Sequence, residues 1–331
     1  MTFLRLSTLL LCSVLTLCLS SSALAWDATS HRLSAYVTWE ALTPLERSSV
    51  IEILEQHPRF TEDFLDVMPV NVRVGDEATQ ARWLFGQAAV WPDLTRNLDE
   101  ETQIRYNRPN WHWIDGAWIR GSATQGNVYV GAEPLQSIHG EALGPIEDEA
   151  DVSNIVLAIE YNRDVLQDRL STSAQKAVAL CWLMHLIGDI HQPLHSGALV
   201  SSSLFPDGDR GGNGIRTRGG DNLHSTWDGA LRNQPFDDTL RRMNSTLRGT
   251  KLNEISLNID IWLQESRQLL NEFVYHDEIK VEVLRSERRG TPMPTIALDA
   301  DYMSNMQAYS EDRLTLASTR MLLILRKVLK N

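Results

Sequence analysis

The stretch WLMHLIGDIHQPLH, residues 182–195, places three histidines and one aspartate in an otherwise apolar segment. The run that leads into it has helical periodicity, so His185 and Asp189 lie on one helix face, about 5–6 Å apart at Cβ. Pro193 ends the helix and lets His195 face the same point. A core helix with a satisfied histidine is the alternative, but four polar groups in such a segment favour a metal site.

A second stretch, NLHSTWD, residues 222–228, repeats the arrangement on a short predicted helix. His224 and Asp228 are again four residues apart, and a tryptophan lies close to each of the two pairs. Histidine and aspartate are common zinc ligands. Two such pairs in one chain predict more than one metal ion.

A carboxylate beside a tryptophan occurs in WPDLTR, residues 91–96. A helical pattern that starts near residue 77 is predicted to end at Pro92. Asp93 then lies at the helix end, and if Trp91 buries it, it requires a cation. Arg96 is close enough to be its salt-bridge partner or to bind an anion. An ordinary turn carboxylate is the alternative for Asp93.

The hexapeptide NWHWID, residues 110–115, holds a histidine between two tryptophans. An indole can stack on a nucleobase, but core packing is its commoner use, and the hexapeptide alone leaves both open. Residues 117–144 follow, and their glycines and short alternations predict loops or a small hairpin. His139 lies there and receives no role.

Residues 1–25 combine one charge, an apolar run and a small-residue cleavage site, and are predicted to be a secretory signal peptide. Cleavage after Ala25 would make Trp26 the first residue, with an amino group that can bind metal when neutral. His31, on the first turn of the next helix, would be its partner. The alternative is a helix capped by Thr29 or Ser30 with His31 exposed.

Composition limits the function classes. The 331 residues carry a net charge of −12, which argues against a basic nucleic-acid coat protein. It leaves polyanionic substrates open, because bound divalent cations dominate the charge of their own site. Of the three cysteines, Cys181 alone lies beyond residue 25, so an exported form would have no internal disulfide.

The remaining segments read as scaffold. The glycine-rich segment 204–222 lacks both the EF-hand and the P-loop pattern and is predicted to be a surface loop that bends round a ligand. Helical patterns cover roughly residues 151–170, 252–275 and 301–329. His57, His191 and His276 are interpreted either as structural or as groups that support the metal ligands from behind.

Taken together, these motifs resemble the zinc-dependent single-strand nucleases of fungi and plants. The shared features run from residue 26 to residue 228 in the family's order. The resemblance implies an all-α fold, a single mostly helical domain over residues 26–331 with a small hairpin or loop region, built round three zinc ions. The lack of a cysteine pair after residue 25 departs from the eukaryotic members and points to a bacterial one.

The resemblance also implies residue roles. The first zinc ion would be held by Asp93, His112, His185 and Asp189. The second would be held by His195, His224 and Asp228, and the third by Trp26, His31 and again Asp189. Asp93, Arg96 and Asp189 would be catalytic, and Trp113, Asp115 and Asn213 would bind the substrate.

The implied activity is endonucleolytic hydrolysis of single-stranded DNA and RNA to 5′-phosphate products, with 3′-nucleotidase activity. The implied protein is secreted or periplasmic, monomeric and not stably bound to a membrane. The bacterial zinc phospholipases C share the ligand order and are the nearest alternative. A non-catalytic exported zinc-binding protein is the other.

Overall fold

The computed structural model describes residues 26–114, 129–130, 149–201 and 203–329. They form an all-α fold with one short pair of strands, as predicted. The α-helices, in chain order, are α1 Ala28–Ala41, α2 Pro44–Leu54, α3 Val70–Arg73, α4 Glu77–Leu94, α5 Glu100–Tyr106, α6 Ile155–Gln167, α7 Ser173–Asp189, α8 Leu223–Asp228, α9 Phe236–Gly249, α10 Ile259–Leu269, α11 Asp277–Arg289 and α12 Ala300–Val328. The π-helical turns are Thr61–Leu65 and Leu270–Val274. The 3₁₀ turns are Thr95–Asn97, Pro109–His112, Glu149–Asp151, Pro193–His195 and Leu252–Glu254. The strands are β1 Tyr129–Val130 and β2 Leu199–Val200.

Helix α7 lies at the centre of the fold. It begins with a capping box, in which Thr172 and Gln175 each bind the other's backbone N–H. Every residue from Ala179 to Asp189 is buried, so this part of the helix has no solvent face. Helices α4 and α6 pack against it, and α7 runs as far as Asp189. Both His185 and Asp189 therefore lie on one rigid element.

Helix α1 packs against α4 and α12 on one side of this centre. Asp27 caps it by accepting a hydrogen bond from the Ser30 N–H at 2.9 Å. The alternative of a Thr29 or Ser30 cap with an exposed His31 is therefore wrong, since His31 is buried inside the first turns of the helix.

The prediction that Pro92 ends its helix is wrong. Helix α4 continues through Pro92 to Leu94. A proline removes one backbone hydrogen bond, but here it lies in the last turn, where little of the helix remains. The Thr95 hydroxyl also donates to the Pro92 carbonyl at 2.6 Å. Asp93 is consequently a helical, buried residue and not a turn carboxylate.

Within residues 117–144, for which loops or a small hairpin were predicted, the structure describes residues 129 and 130. Strand β1 pairs antiparallel with β2, with Tyr129 opposite Val200. The strand thus forms a long-range pair beside the segment that follows His195. His139 and the other residues of that region lie outside the described residues.

The C-terminal third contains more helices than the sequence indicated. Helices α9 and α11 were not predicted, and the predicted helix 252–275 consists of a 3₁₀ turn, α10 and a π-helical turn. The predicted helix 301–329 is confirmed as α12. None of the helices in the described ranges is long and apolar enough to span a bilayer.

Candidate metal centre

Asp189 lies at the centre of a cluster of imidazoles. Its Oδ1 lies 3.3 Å from Nε2 of His31. Its Oδ2 lies 2.9 Å from Nδ1 of His112 and 3.1 Å from Nε2 of His185. The two oxygens of one carboxylate therefore face histidines from three separate elements: α1, the 3₁₀ turn Pro109–His112 and α7.

Asp93 reaches the same cluster from the end of α4. Its Oδ1 lies 3.7 Å from Nε2 of His185 and 4.0 Å from Nδ1 of His112. The Arg96 guanidinium lies 2.5 Å from the same oxygen. The sequence analysis predicted that Arg96 forms a salt bridge with Asp93 or binds an anion, and the structure shows the salt bridge. The Arg96 side chain keeps 14% of its surface exposed, and its guanidinium also lies 3.4 Å from Nε2 of His112.

A second group lies next to the first. The rings of His195 and His224 stack with centroids 5.0 Å apart. Nε2 of His224 lies 3.4 Å from Oδ2 of Asp228. His195 connects the two groups, since its Nδ1 lies 3.9 Å from Asp189 Oδ2.

The structure therefore gathers the predicted His and Asp ligands into three groups, two of which share His185. Within each group the potential ligand atoms lie within 4.8 Å of one another. The groups are His31, His185 and Asp189; Asp93, His112 and His185; and His195, His224 and Asp228.

Backbone carbonyls fix the proton on three of the histidines. Nδ1 of His185 bonds the carbonyl of Ala89 at 2.8 Å, and Nδ1 of His195 bonds that of His112 at 2.6 Å. Nδ1 of His224 bonds the carbonyl of Gly211 at 2.7 Å. A carbonyl oxygen can only accept, so each Nδ1 carries the hydrogen. Each Nε2 of a neutral ring is then left as a lone-pair donor, the arrangement usual for metal-binding histidines.

Four buried atoms of these groups have no hydrogen-bond partner among the described residues. They are Nε2 of His31, Oδ1 of Asp189, Nε2 of His195 and Oδ2 of Asp228. Native proteins rarely leave buried polar atoms unpaired. Each of these atoms can offer a lone pair to a cation. Nε2 of His31 and Oδ1 of Asp189 lie 3.3 Å apart, and Oδ2 of Asp228 lies 3.4 Å from Nε2 of His224, so a cation can bind between such atoms.

The pKa shifts agree with this interpretation. Burial lowers the pKa values of His31, His112 and His195, the last to about 3, so these rings are neutral and able to bind metal. Burial raises the pKa of Asp228 well above its usual range, and repulsion from Asp189 adds to the rise. A bound cation would reverse this shift.

Asp189 and His185 are shifted toward their charged forms. Burial opposes ionisation of Asp189, but His185, His195 and the hydrogen bond with His112 outweigh it and hold the pKa of Asp189 well below its usual range. For His185 burial acts downward, yet the carboxylates of Asp189 and Asp93 raise its pKa overall. The Asp189 carboxylate therefore keeps its negative charge near neutral pH, and a metal ion at His185 would have to displace a proton.

The glycine-rich segment supports the second group and is more than the predicted surface loop. Gly211 has φ +59°, and a Cβ there would lie 2.3 Å from the carbonyl oxygen of Leu194. Only glycine allows this approach, which brings the Gly211 carbonyl to His224. Asp209 is buried in the same segment and accepts hydrogen bonds from the Tyr275 hydroxyl and the Leu199 N–H.

Trp26 and the residue after it contact the chain beside Asp189 and at Asp228. The indole Nε1 of Trp26 donates to the carbonyl of Gly188, the residue before Asp189, at 3.1 Å. The next residue, Asp27, donates its N–H to the carbonyl of Asp228 at 3.2 Å. Residues 26 and 27 therefore contact both α7, beside Asp189, and the end of α8, at Asp228.

Two of the three predicted substrate residues, Trp113 and Asn213, are among the described residues. Trp113 follows His112, is 40% exposed, and precedes Ile114, whose N–H donates to the carbonyl of His195 at 2.8 Å. Asn213 is half-buried in the glycine-rich segment and donates to the Arg210 carbonyl. Asp115 lies outside the described residues.

Sequence reasoning gave no role to Gln192, which the structure places in the centre. Its side chain is fully buried, and its Nε2 donates to Oδ1 of Asp228 at 2.8 Å. The signal was present in the sequence, because a neutral amide lies between two histidines in an apolar segment. A neutral side chain carries no metal-ligand pattern of its own.

Comparison with known proteins agrees with the site. Endonuclease 4 from Arabidopsis thaliana is 31% identical to the chain over 161 residues, a match that covers 45% of this chain. The chain thus spans half the length of this plant relative. The S1/P1 nuclease family matches residues 26–330, which include every residue of the three groups. This chain belongs to the S1/P1 nuclease family.

Proposed function

We propose that this chain is a zinc-dependent endonuclease that hydrolyses single-stranded DNA and RNA to products with 5′-phosphate ends. The observation that carries the proposal is the convergence of three His and Asp groups on Asp189 and its neighbours, in which four buried ligand atoms have no hydrogen-bond partner within the described ranges. Membership of a nuclease family assigns this centre to phosphodiester hydrolysis.

The donor set suits three zinc ions. Neutral imidazoles and carboxylates are the ligands that zinc takes in hydrolytic sites. Asp93, His112, His185 and Asp189 would hold the first ion; His195, His224 and Asp228 the second; Trp26, His31 and Asp189 the third. Bound zinc would polarise the phosphate and lower the pKa of water toward neutrality.

The protein's own residues position the substrate and balance its charge. The Arg96 guanidinium would pair with phosphate oxygens of the substrate. It would also stabilise the negative charge that develops as the bond between phosphorus and the 3′-oxygen breaks. Asp93 holds Arg96 in place through their ion pair. The same arrangement accepts a 3′-phosphate of a nucleotide, which accounts for a 3′-nucleotidase activity.

Trp113 selects single strands in this proposal. A base can stack on the exposed indole only when it is outside a duplex. Asp115 and Asn213 would hydrogen-bond the stacked nucleotide. Since stacking is available to every base, little sequence preference is expected.

Export explains the role of Trp26. Removal of residues 1–25 as a signal peptide would convert its peptide nitrogen into an amine able to bind the third zinc ion. The mature protein would be secreted or periplasmic, and we propose a monomer without stable membrane association. Trp26 contacts Gly188, next to Asp189, and Asp27 contacts Asp228. An amine at Trp26 would thus lie near two of the proposed carboxylate ligands.

A substrate comparison tests the proposal. Purified protein should degrade heat-denatured DNA faster than duplex DNA, should leave phosphatidylcholine vesicles intact, and should lose activity to a chelator and regain it with zinc. Hydrolysis of the lipid headgroup instead would indicate a phospholipase C. Zinc binding without any hydrolysis would indicate a storage protein, for which Arg96 has no use.

A further inference from the structure

The three ligands of the second group are each oriented by a neighbour. His195 and His224 bond backbone carbonyls, those of His112 and Gly211. Asp228 is oriented by a side chain, the amide of Gln192, at 2.8 Å. A substitution cannot remove a carbonyl, but it can remove this amide.

The Gln192 amide has one possible orientation. Its Oε1 accepts the Leu194 N–H at 2.6 Å, and its Nε2 donates to Oδ1 of Asp228. A backbone N–H can only donate, so the Leu194 contact identifies Oε1 as the amide oxygen and leaves Nε2 toward Asp228. Both bonds are made within the buried core, where such pairing is strongest.

This amide acts on two ligands that are far apart in the sequence. On one side it caps the 3₁₀ turn Pro193–His195, which carries His195. On the other it holds one oxygen of Asp228 and leaves Oδ2 toward His224, 3.4 Å from Nε2. Oδ2 is the Asp228 atom without a hydrogen-bond partner among the described residues.

We infer that Gln192 is a positioning residue that turns the free oxygen of Asp228 toward the second zinc ion and thereby sets the affinity of that ion alone. This inference rests on the proposed zinc centre. Groups that orient metal ligands without touching the metal typically change metal affinity by about 10–100-fold when removed. The first and third ions do not use Asp228, His195 or His224, and their affinities should not change.

Two substitutions separate the contacts. Gln192→Glu keeps an oxygen that accepts the Leu194 N–H but replaces the donor to Asp228 with a second carboxylate oxygen. Gln192→Met removes both contacts and keeps the volume. A matched control is Gln87→Met, because Gln87 is also buried but bonds the Asp63 carbonyl and Arg32.

The experiment titrates zinc into each metal-free protein against a competing chelator and counts bound zinc per chain by elemental analysis. The metal-free unfolding temperature of each variant is measured alongside. We expect both Gln192 variants to bind one of the three ions about 10–100-fold more weakly. Gln87→Met should bind all three as the wild type does, even if it unfolds at a lower temperature.

The outcomes distinguish the inference from the function it rests on. Wild-type affinities in Gln192→Glu would overturn the inference, as would equal weakening of all ions or the same loss in Gln87→Met. A wild-type protein that binds no zinc at this centre would overturn the proposed function and the inference together. The wild-type titration and the nuclease assay are thus read independently of the variants.

Discussion

At the scale of single residues, Asp189 carries the most connections. One of its oxygens faces His31 and the other faces His112 and His185. Each histidine serves one proposed ion, whereas Asp189 serves two. Removing its charge should therefore affect more of the centre than removing any one imidazole.

We expect Asp189→Asn to lower kcat/KM on denatured DNA more than any single His→Ala change in the centre. An asparagine keeps the shape but loses the negative charge that balances two cations. The control is Asp63→Asn, another buried carboxylate, which bonds Trp91 and Arg59 and should keep its activity per folded molecule. A milder effect in Asp189→Asn than in His31→Ala would contradict the sharing of Asp189.

Trp113 provides the residue-scale test of substrate binding. Trp113→Ala should raise KM on oligonucleotides by roughly 5- to 150-fold, the equivalent of about 1–3 kcal/mol of base stacking. Trp113→Phe retains a stacking face and should lie between the alanine variant and the wild type. An unchanged KM in Trp113→Ala would place the base-binding surface elsewhere.

The residues that sequence predicted best are those whose chemistry conflicts with their surroundings. His185, Asp189, His224 and Asp228 are charged or titratable groups at helical spacing in apolar segments, and the structure brings them together. The sequence shows Gln192 as a polar group in an apolar segment, but its role depends on a contact with Asp228, thirty-six residues away, which the sequence does not reveal.

At the scale of elements, the centre depends on how closely α1 approaches α7. Gly188 makes this approach possible. A Cβ at Gly188 would lie 3.0 Å from Nδ1 of His31 and 3.1 Å from its Cε1. The histidine ring of α1 therefore rests on the glycine that precedes the shared carboxylate of α7.

Gly188→Ala should displace His31 and weaken zinc binding at the group it forms with Asp189, measured by chelator competition. Gly86→Ala is the matched control, since it places a methyl group 2.5 Å from Cε1 of Tyr36 within the same helical core. It should lower the free energy of unfolding without changing zinc affinity. Equal zinc affinities in both variants would show that the α1–α7 approach does not position His31.

Elements were predictable where their signals are local. The capping boxes at Thr43 and Thr172 each lie within four residues of sequence, so a local pattern is enough to encode them. The end of α4 was misplaced because packing of the last turn outweighs the one hydrogen bond that Pro92 removes. The pairing of β1 with β2 is a contact between distant segments, which local periodicity cannot reveal.

At the scale of the whole molecule, buried neutral histidines make the fold sensitive to acid. Burial lowers the pKa of His57 to about 4, with the opposing effect of Asp63 smaller. Its Nδ1 accepts the Arg59 N–H, which requires the neutral ring. An unfolded histidine titrates near ~6.5, so between that pH and about 4 the unfolded chain binds more protons.

Stability should accordingly fall as the pH drops from about 6.5 toward 4. His57 should account for on the order of 3 kcal/mol of this loss, and His57→Phe should escape that part. The measurement is chemical unfolding of the metal-free wild type and variant at pH 7 and pH 4.5, with chelator present so that metal release does not contribute. Parallel losses in the two proteins would mean that His57 does not titrate as its burial implies.

The whole chain carries a net charge of −12, yet its family acts on polyanions. In the proposed function, metal ions bound where acidic and neutral ligands converge supply the positive charge that attracts such a substrate. The metal content of the folded protein is therefore the quantity on which every other claim depends.

The most direct measurement is the number of zinc ions per chain in purified protein that begins at Trp26, determined by elemental analysis beside protein concentration. The account predicts three ions per chain, removed by chelation together with nuclease activity. Fewer than three, or full activity in protein stripped of zinc, would contradict it.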